Sequence, residues 1–440
     1  MLPLLKTPIP GPESRRLAAR LARAESPNVT FLSEGFPVFW DRAEGASVWD
    51  ADGNRFLDLT SGFGVAGLGY GEKALVAAVA DQAGKLLHGM GDVHPTALKA
   101  ELCSELSRLT FEKWGAGPGK VILGCTGGEA VEAALKTAVL SAAASGTGKR
   151  GVLAFRNGYH GLGYGALTVT GSPYFRDPFA AQLADFAHFA PYPGAETDPM
   201  TYAEALTHDL IVHPIGAILV EPIQGRGGQN IPPGWFLPLL RRIADQSGAL
   251  LIFDEIFTGW YRTGRRFACD HDGVVPDLVC LGKALTGGFP LSACVGKAQV
   301  IDHAWPRSTG EAIHTSTFLG NPLGCRMALE SLRLLERPGL AETVTRKGDV
   351  LLAALRDLEA ENLGFVRARG RGLMAGIDVV DKKGNPDPAR AGAIVEGMLA
   401  EGVILLSDGP SRNTVAFTPP FVVEEEAVRW AVGRLGAWAF

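Results

Sequence analysis

The chain has 440 residues, 46% of them hydrophobic and 20% charged, with a formal net charge of −5. That length exceeds what one hydrophobic core usually serves, so two domains are expected, and the slight acidity gives no electrostatic basis for binding nucleic acid or an anionic membrane. No apolar run approaches a membrane span, and the N-terminus, Met1-Leu2-Pro3-Leu4-Leu5, lacks the charged and apolar regions of a secretion signal.

Six cysteines stand singly at positions 103, 125, 269, 280, 294 and 325. No CxxC or Cys/His spacing predicts a metal site, and a disulfide framework is not expected in so large a chain. A reducing cytoplasm is the expected location.

In chain order, residues 13–25 predict an amphipathic surface helix. Short strands are expected from Phe36 to Trp40, Ala46 to Trp49 and Arg55 to Leu59, with Asp52-Gly53 as a hairpin signal before the last. The stretch from Ser61 to Tyr70, which includes Phe63, is too rich in glycine for a regular element and predicts backbone laid close to a pocket or a partner. Helices follow at about 72–87 and 95–109.

From Val121 the pattern becomes strand, helix, strand. Val121-Ile122-Leu123 ends in Thr126-Gly127-Gly128, where a helix begins. Two glycines at a helix N-terminus expose N–H groups to an anion, although an ordinary strand-to-helix turn reads the same way. A strand from Val152 to Phe155 leads to Tyr159-His160-Gly161, and Ala217 to Val220 ends at Glu221-Pro222-Ile223-Gln224-Gly225-Arg226. A helix at 233–246 delivers the chain to Leu250-Leu251-Ile252-Phe253, which stops on Asp254-Glu255. Leu278 to Leu281 is the next apolar run and ends at Gly282-Lys283; Leu291 to Val295 closes the series. Such runs bounded by glycine and charge predict buried strands of a mostly parallel sheet with helices on both faces. Functional groups of such sheets sit at the carboxyl ends of the strands, so Asp254 and Lys283 are expected to face one pocket. A lysine that condenses with an aldehyde and a carboxylate that keeps a ring nitrogen protonated are the two protein groups pyridoxal phosphate needs, although an exposed lysine after a strand and a helix-capping aspartate read the same way at these two positions.

After Pro322 long helices are expected at about 323–336 and 340–361, then strands at Phe365 to Val366 and Leu373 to Val379. A helix near 388–401, strands near 403–406 and 414–417, and a last helix from Glu424 complete the chain.

The ordered set Thr126-Gly127-Gly128-Glu129-Ala130, Tyr159-His160-Gly161, Glu221-Pro222-Ile223-Gln224-Gly225, Asp254-Glu255-Ile256, Lys283, His314-Thr315-Ser316-Thr317-Phe318, Gly320-Asn321-Pro322-Leu323 and Gly372-Leu373-Met374 resembles the class III, or ω-amino-acid, pyridoxal-phosphate aminotransferases. The resemblance runs from Asp52 to Pro420 and implies the fold type I architecture of aspartate aminotransferase: an α/β domain at 66–322, and a smaller α+β domain made of 1–65 and 323–440. It also implies roles. Lys283 would form the internal aldimine and move the proton between the substrate Cα and the cofactor. Asp254 would bind the pyridine nitrogen, with Ile256 and Tyr159 on the two ring faces. Gly127 and Gly128 would bind the phosphate, Glu221 would lie near the ring oxygen, and Thr317 would reach the phosphate of a neighbouring subunit in a homodimer. His160 is either a group near the ring or a satisfied turn histidine.

Three positions depart from the family's pattern. Arg226 stands where ornithine and 4-aminobutyrate members carry Glu, Ala416 stands where they carry a carboxylate-binding Arg, and Phe257 stands where many carry Gln. The substrate's carboxylate therefore needs another partner. Arg226 is the first candidate, and Arg412 and Phe63 are further candidates for substrate binding. The expected reaction is transfer of an amino group from an amine or amino acid, ω-amino acids included, to a 2-oxo acid or aldehyde. Isomerisation by an aminomutase or racemase on the same scaffold is the alternative.

Overall fold

The structure, a computed structural model, describes residues 1–362 and 364–439. It contains two compact units, Met1–Lys73 with Ala341–Phe440, and Ala74–Leu340. The first helix is shorter than 13–25 and spans Pro12–Leu21. Its start is fixed by Asp52, whose carboxylate accepts the amides of Glu13 and Ser14 at 2.7 and 2.9 Å. Beyond Leu21 the chain turns toward Ser26-Pro27, and a residue before proline disfavours helix.

The strand expected at Phe36 to Trp40 instead begins where that stretch ends, as β1 (Trp40–Glu44). Pro37 has no N–H to give to a ladder, so pairing starts only beyond it. β2 (Ser47–Asp50) and β3 (Arg55–Asp58) continue the antiparallel meander, joined at Asp52-Gly53 as the hairpin signal predicts. Ser61 to Gly64 then form a short turn with four successive positive φ angles of 50°, 54°, 64° and 79°.

The second unit is built on a seven-stranded sheet: β4 (Gly119–Gly124), β5 (Gly151–Phe155), β6 (Ala187–Ala190), β7 (Ile215–Val220), β8 (Leu250–Asp254), β9 (Leu278–Leu281) and β10 (Ser292–Lys297), in spatial order β4-β10-β9-β8-β7-β5-β6. β10 runs antiparallel to both β4 and β9, and every other pair is parallel. The expected mostly parallel sheet is therefore present, with one reversed strand. β5, β8 and β9 are apolar almost without interruption because helices, among them Gly127–Ala144 and Phe236–Ser247, leave neither face wet.

Register decides which groups meet. Val220 pairs with Phe253, so Glu221 and Asp254 follow at the same level. Asp254 pairs in turn with Cys280, three residues before Lys283. Because β10 is reversed, its first residue, Ser292, lies opposite Gly124, and the Thr126-Gly127 turn emerges at that same edge.

Returning to the first unit, β11 (Val366–Arg371), β12 (Met374–Val379), β13 (Val403–Ile404), β14 (Leu406–Asp408) and β15 (Thr414–Phe417) follow the Leu340–Glu361 helix. The single strand expected near 403–406 divides in two: β13 pairs with β3, and β14 pairs with β15. The unit thus holds two four-stranded sheets, β1-β2-β3-β13 and β11-β12-β15-β14. The helix at Pro322–Leu335 belongs to the other unit, where its Ser331 hydroxyl donates to the Ala284 carbonyl at 3.0 Å.

At the edge of the large sheet opposite the emerging turns, Asp277 ties three elements together. Its carboxylate accepts Arg241 at 2.8 Å, Lys297 at 2.8 Å and the Leu251 amide at 2.9 Å. Burial works against its ionisation, but Arg241, the Leu251 amide and Lys297 outweigh that and hold its pKa below the usual value. A depressed pKa stabilises the fold above the unfolded pKa, and that contribution disappears as pH falls through the folded value. Asp277→Asn should lower stability at pH 7 by about 2 kcal/mol, less than a fully dry ion pair because Arg241 and Lys297 keep some water. The deficit should shrink below pH 4, as measured by denaturant unfolding across pH.

Candidate active site

The Gly127–Ala144 helix starts from Thr126, whose extended backbone and Oγ accept the Glu129 amide, while Ser292 Oγ donates to the Thr126 carbonyl at 2.6 Å. The amides of Gly127 and Gly128 lie in the first turn, where an α-helix has no internal acceptor for its N–H groups. A Cβ at Gly127 would fall 3.0 Å from Ile256 Cδ1, and one at Gly282 would fall 3.3 Å from Ile256 Cγ2. One isoleucine side chain therefore packs between the glycine turn and the residue before Lys283. This cradle exists because both neighbours lack a side chain.

Asp254 closes β8, with only 4% of its surface exposed. Its Oδ1 accepts the Ile256 amide at 3.1 Å, and His160 Nδ1 lies 2.8 Å from its Oδ2. His160 is itself buried, and its own amide is held by Thr170 Oγ at 3.0 Å. Burial alone would lower the pKa of His160, but the hydrogen bond and charge of Asp254, aided by Glu221, raise it above the usual value. His160 is thus fixed against Asp254, a role the sequence left open.

Lys283 follows β9 with φ +47°, a left-handed backbone that a non-glycine residue adopts only under constraint from its surroundings. Its Nζ sits 4.3 Å from the centroid of the Phe257 ring. That ring is pressed on Gly225, where a Cβ would be 2.2 Å from Phe257 Cδ1. At the end of β7, the buried Glu221 carboxylate accepts the Tyr159 amide at 2.8 Å through Oε1 and the Gly225 amide at 3.0 Å through Oε2. Burial pushes Glu221 up to about 7; the charge of Asp254 adds to this, while His160 and the two amides oppose it. Glu221 therefore works as a fastener, joining the Tyr159 turn to the Gly225 loop.

Arg226 points its guanidinium over two rings, 5.2 Å from the Tyr159 centroid and 5.6 Å from that of Phe175. Phe175 was not legible as a site residue, because it carries no motif and lies in an irregular aromatic stretch. Thr317 stands in an exposed turn and, among the described residues, makes no hydrogen bond or ring contact with this cluster. Phe63 and Arg412 belong to the other unit: Phe63 is 60% exposed on the left-handed turn, and Arg412 lies between β14 and β15 with φ +56°. Ala416 is buried within β15, opposite Gly376 and Leu406.

A carboxylate, an amine, a glycine-bearing helix start and an aromatic ring thus converge at the carboxyl edge of one sheet, which fits a phosphorylated aromatic aldehyde. The profile of class III aminotransferases matches residues 32–438, and the chain belongs to that family. It is an enzyme of the fold type I architecture that moves an amino group from a donor to a keto or aldehyde acceptor. The acetylornithine aminotransferase of Methanopyrus kandleri is 36% identical over 91% of this chain and 94% of its own. The 4-aminobutyrate aminotransferase of Mycobacterium tuberculosis is 35% identical over 96% of this chain and 94% of its own. Among solved structures, a PLP-bound amine transaminase from an uncultivated Pseudomonas species superposes with a TM-score of 0.85 at 29% identity, covering 94% of this chain and 98% of that one.

Gly225→Ala should force the Phe257 ring off its seat at about 1–3 kcal/mol, the usual range for overpacking. Phe257→Leu should relieve much of this. In a double-mutant cycle followed by thermal unfolding, the two changes should couple favourably by more than 0.5 kcal/mol, the lower bound for residues in contact; additive losses would mean the ring is free to move away.

Proposed function

We propose that Lys283 is the residue that binds pyridoxal phosphate covalently, with Asp254, Gly127, Gly128, Ile256, Tyr159 and Glu221 as its surroundings. The observation that carries this reading is the register of β7, β8 and β9, which sets Glu221, Asp254 and the Lys283 turn side by side. Bound there, the cofactor supplies an aldehyde carbon to take the amino group and a ring to hold the charge left when a Cα proton departs. The Lys283 amine takes and returns that proton. Asp254 keeps a proton on the pyridine nitrogen through a charge-assisted hydrogen bond, and His160 holds Asp254 in orientation. Gly127 and Gly128 offer amides to the phosphate, and Tyr159 and Ile256 keep water from the ring faces.

Arg226 grips the carboxylate of the substrate. Support comes from the buried loop around it and from the alanine at 416, which cannot serve. Guanidinium is the group of choice for a planar carboxylate, since its N–H donors form a bidentate fork.

The working unit is a homodimer in which Thr317 completes the partner's phosphate site. Thr317 neighbours an unusually apolar surface: Leu87, Met90, Val93, Ile313 and Phe318 are each more than half exposed, and His88–Phe318 packing and the Thr315–Asp92 hydrogen bond gather them. Patches of this kind mark protein interfaces. All six cysteines are free thiols, in keeping with a cytoplasmic enzyme.

Two experiments test these readings. Borohydride treatment should leave cofactor attached to the wild-type chain after denaturation, and Lys283→Ala should fold yet retain none; attachment in the variant would remove Lys283 from its role. Mixed dimers of Lys283→Ala and Thr317→Ala subunits should concentrate both defects in one of their two sites and leave the other intact. A fully active monomer would refute the shared site.

A further inference from the structure

Among the nine residues from Glu221 to Gln229, Arg226 alone is exposed. The loop that presents it is closed by paired backbone hydrogen bonds between Gln224 and Asn230, at 3.1 and 2.9 Å, and by the amides of Gly228 and Gln229 on the Gly225 carbonyl, both at 3.0 Å. Asn230 Nδ2 adds a bond to the Gly227 carbonyl at 2.9 Å. The base of the arginine is therefore rigid, but a long side chain on a rigid base still has many rotamers to lose when it binds. Two rings limit that freedom. Tyr159 is tied to the same Glu221 carboxylate that holds Gly225. Phe175 comes from a separate short helix, Pro173–Arg176, and meets Tyr159 edge to face at 5.5 Å and 68°. The next residue, Arg176, anchors that helix by stacking its guanidinium 4.4 Å over Phe189 of β6.

We propose that Phe175 is a positioning residue for substrate specificity: with Tyr159 it forms a two-ring clasp that holds the Arg226 guanidinium ready for a carboxylate-bearing substrate. This rests on the reading of Arg226 as the carboxylate partner. Both rings lie within cation–π distance of the guanidinium, and holding it there reduces the rotamer freedom it has still to lose when a planar anion binds. Phe175 does not touch the reacting atoms, so it acts on binding of the carboxylate and leaves the chemical step alone.

The test uses the holoenzyme with one amine donor and two acceptors, pyruvate, which has a carboxylate, and butanal, which does not. Phe175→Leu should raise the KM for pyruvate about two- to five-fold, the scale of one cation–π contact. kcat, and the KM for butanal, should stay at wild-type values. Phe175→Tyr should restore the pyruvate KM. Arg226→Ala should raise the same KM by more, and Phe175→Leu added to it should have no additional effect. Equal losses for both acceptors would make Phe175 merely structural and overturn the proposal. If Arg226→Ala raises the pyruvate KM and Phe175→Leu does not, the clasp fails while the carboxylate reading survives. If Arg226→Ala leaves that KM unchanged, the carboxylate reading fails and the clasp with it.

Discussion

A carboxylate with almost no access to water is tolerated only when donors replace the water it has lost. Asp254 is in that position, and much of the site's order follows from how it is compensated. His160 supplies one donor and the Ile256 amide another. His160 must then be buried and aligned, which Thr170 and the tight Gly158 turn accomplish; a Cβ at Gly158 would fall 3.3 Å from His160 Nε2. The Ile256 amide can reach back only if the chain turns sharply after β8, and that turn throws the Ile256 side chain between Gly127 and Gly282. The carboxylate, the glycine turn and the lysine turn are in this way parts of one packing solution.

Glu221 repeats the logic one strand away with a different outcome. Both its oxygens accept backbone amides, from segments 62 and 4 residues distant. Because those donors are neutral, burial dominates and raises the carboxyl's pKa to about 7, whereas Asp254 has an imidazole beside it whose pKa it raises. Two neighbouring acids at the same sheet edge are thus compensated by different kinds of donor. The one nearest the lysine turn is paired with an imidazole, and the other spends its lone pairs on backbone geometry.

The sheet and its carboxyl-edge residues could be read from the sequence because apolar runs ending in charge or glycine are local signals. Asp254, Lys283, Glu221 and the Gly127-Gly128 turn all sit directly at such ends. What could not be read depended on partners distant in sequence. The reversed direction of β10 leaves no trace in its composition. The division of 403–406 into β13 and β14 depends on β3 and β15, which lie hundreds and about ten residues away. Tyr159 stood in a motif, but Phe175 had only an aromatic ring in a proline-containing stretch, and its place beside Arg226 comes from how the chain turns after Thr170. The strand expected at Phe36–Trp40 is displaced because the N–H missing at Pro37 matters only once there is a ladder to join.

The reversed strand also bears on the order in which the molecule can be assembled. β4 carries the glycine turn at its end, yet its one neighbour in the sheet is β10, about 170 residues later in the chain. Ser292, at the start of β10, also supplies the hydroxyl that pins the Thr126 carbonyl. On a ribosome, β5 to β9 can pair with one another as they emerge, while β4, synthesised first, must wait for the last strand before it has a partner. Contacts so distant in sequence form late because closing a long loop costs entropy before any contact repays it. The glycine-turn end of the site is therefore the last part of the sheet to be completed, and a nascent chain lacks the anchor of that turn until nearly the whole second unit has left the tunnel.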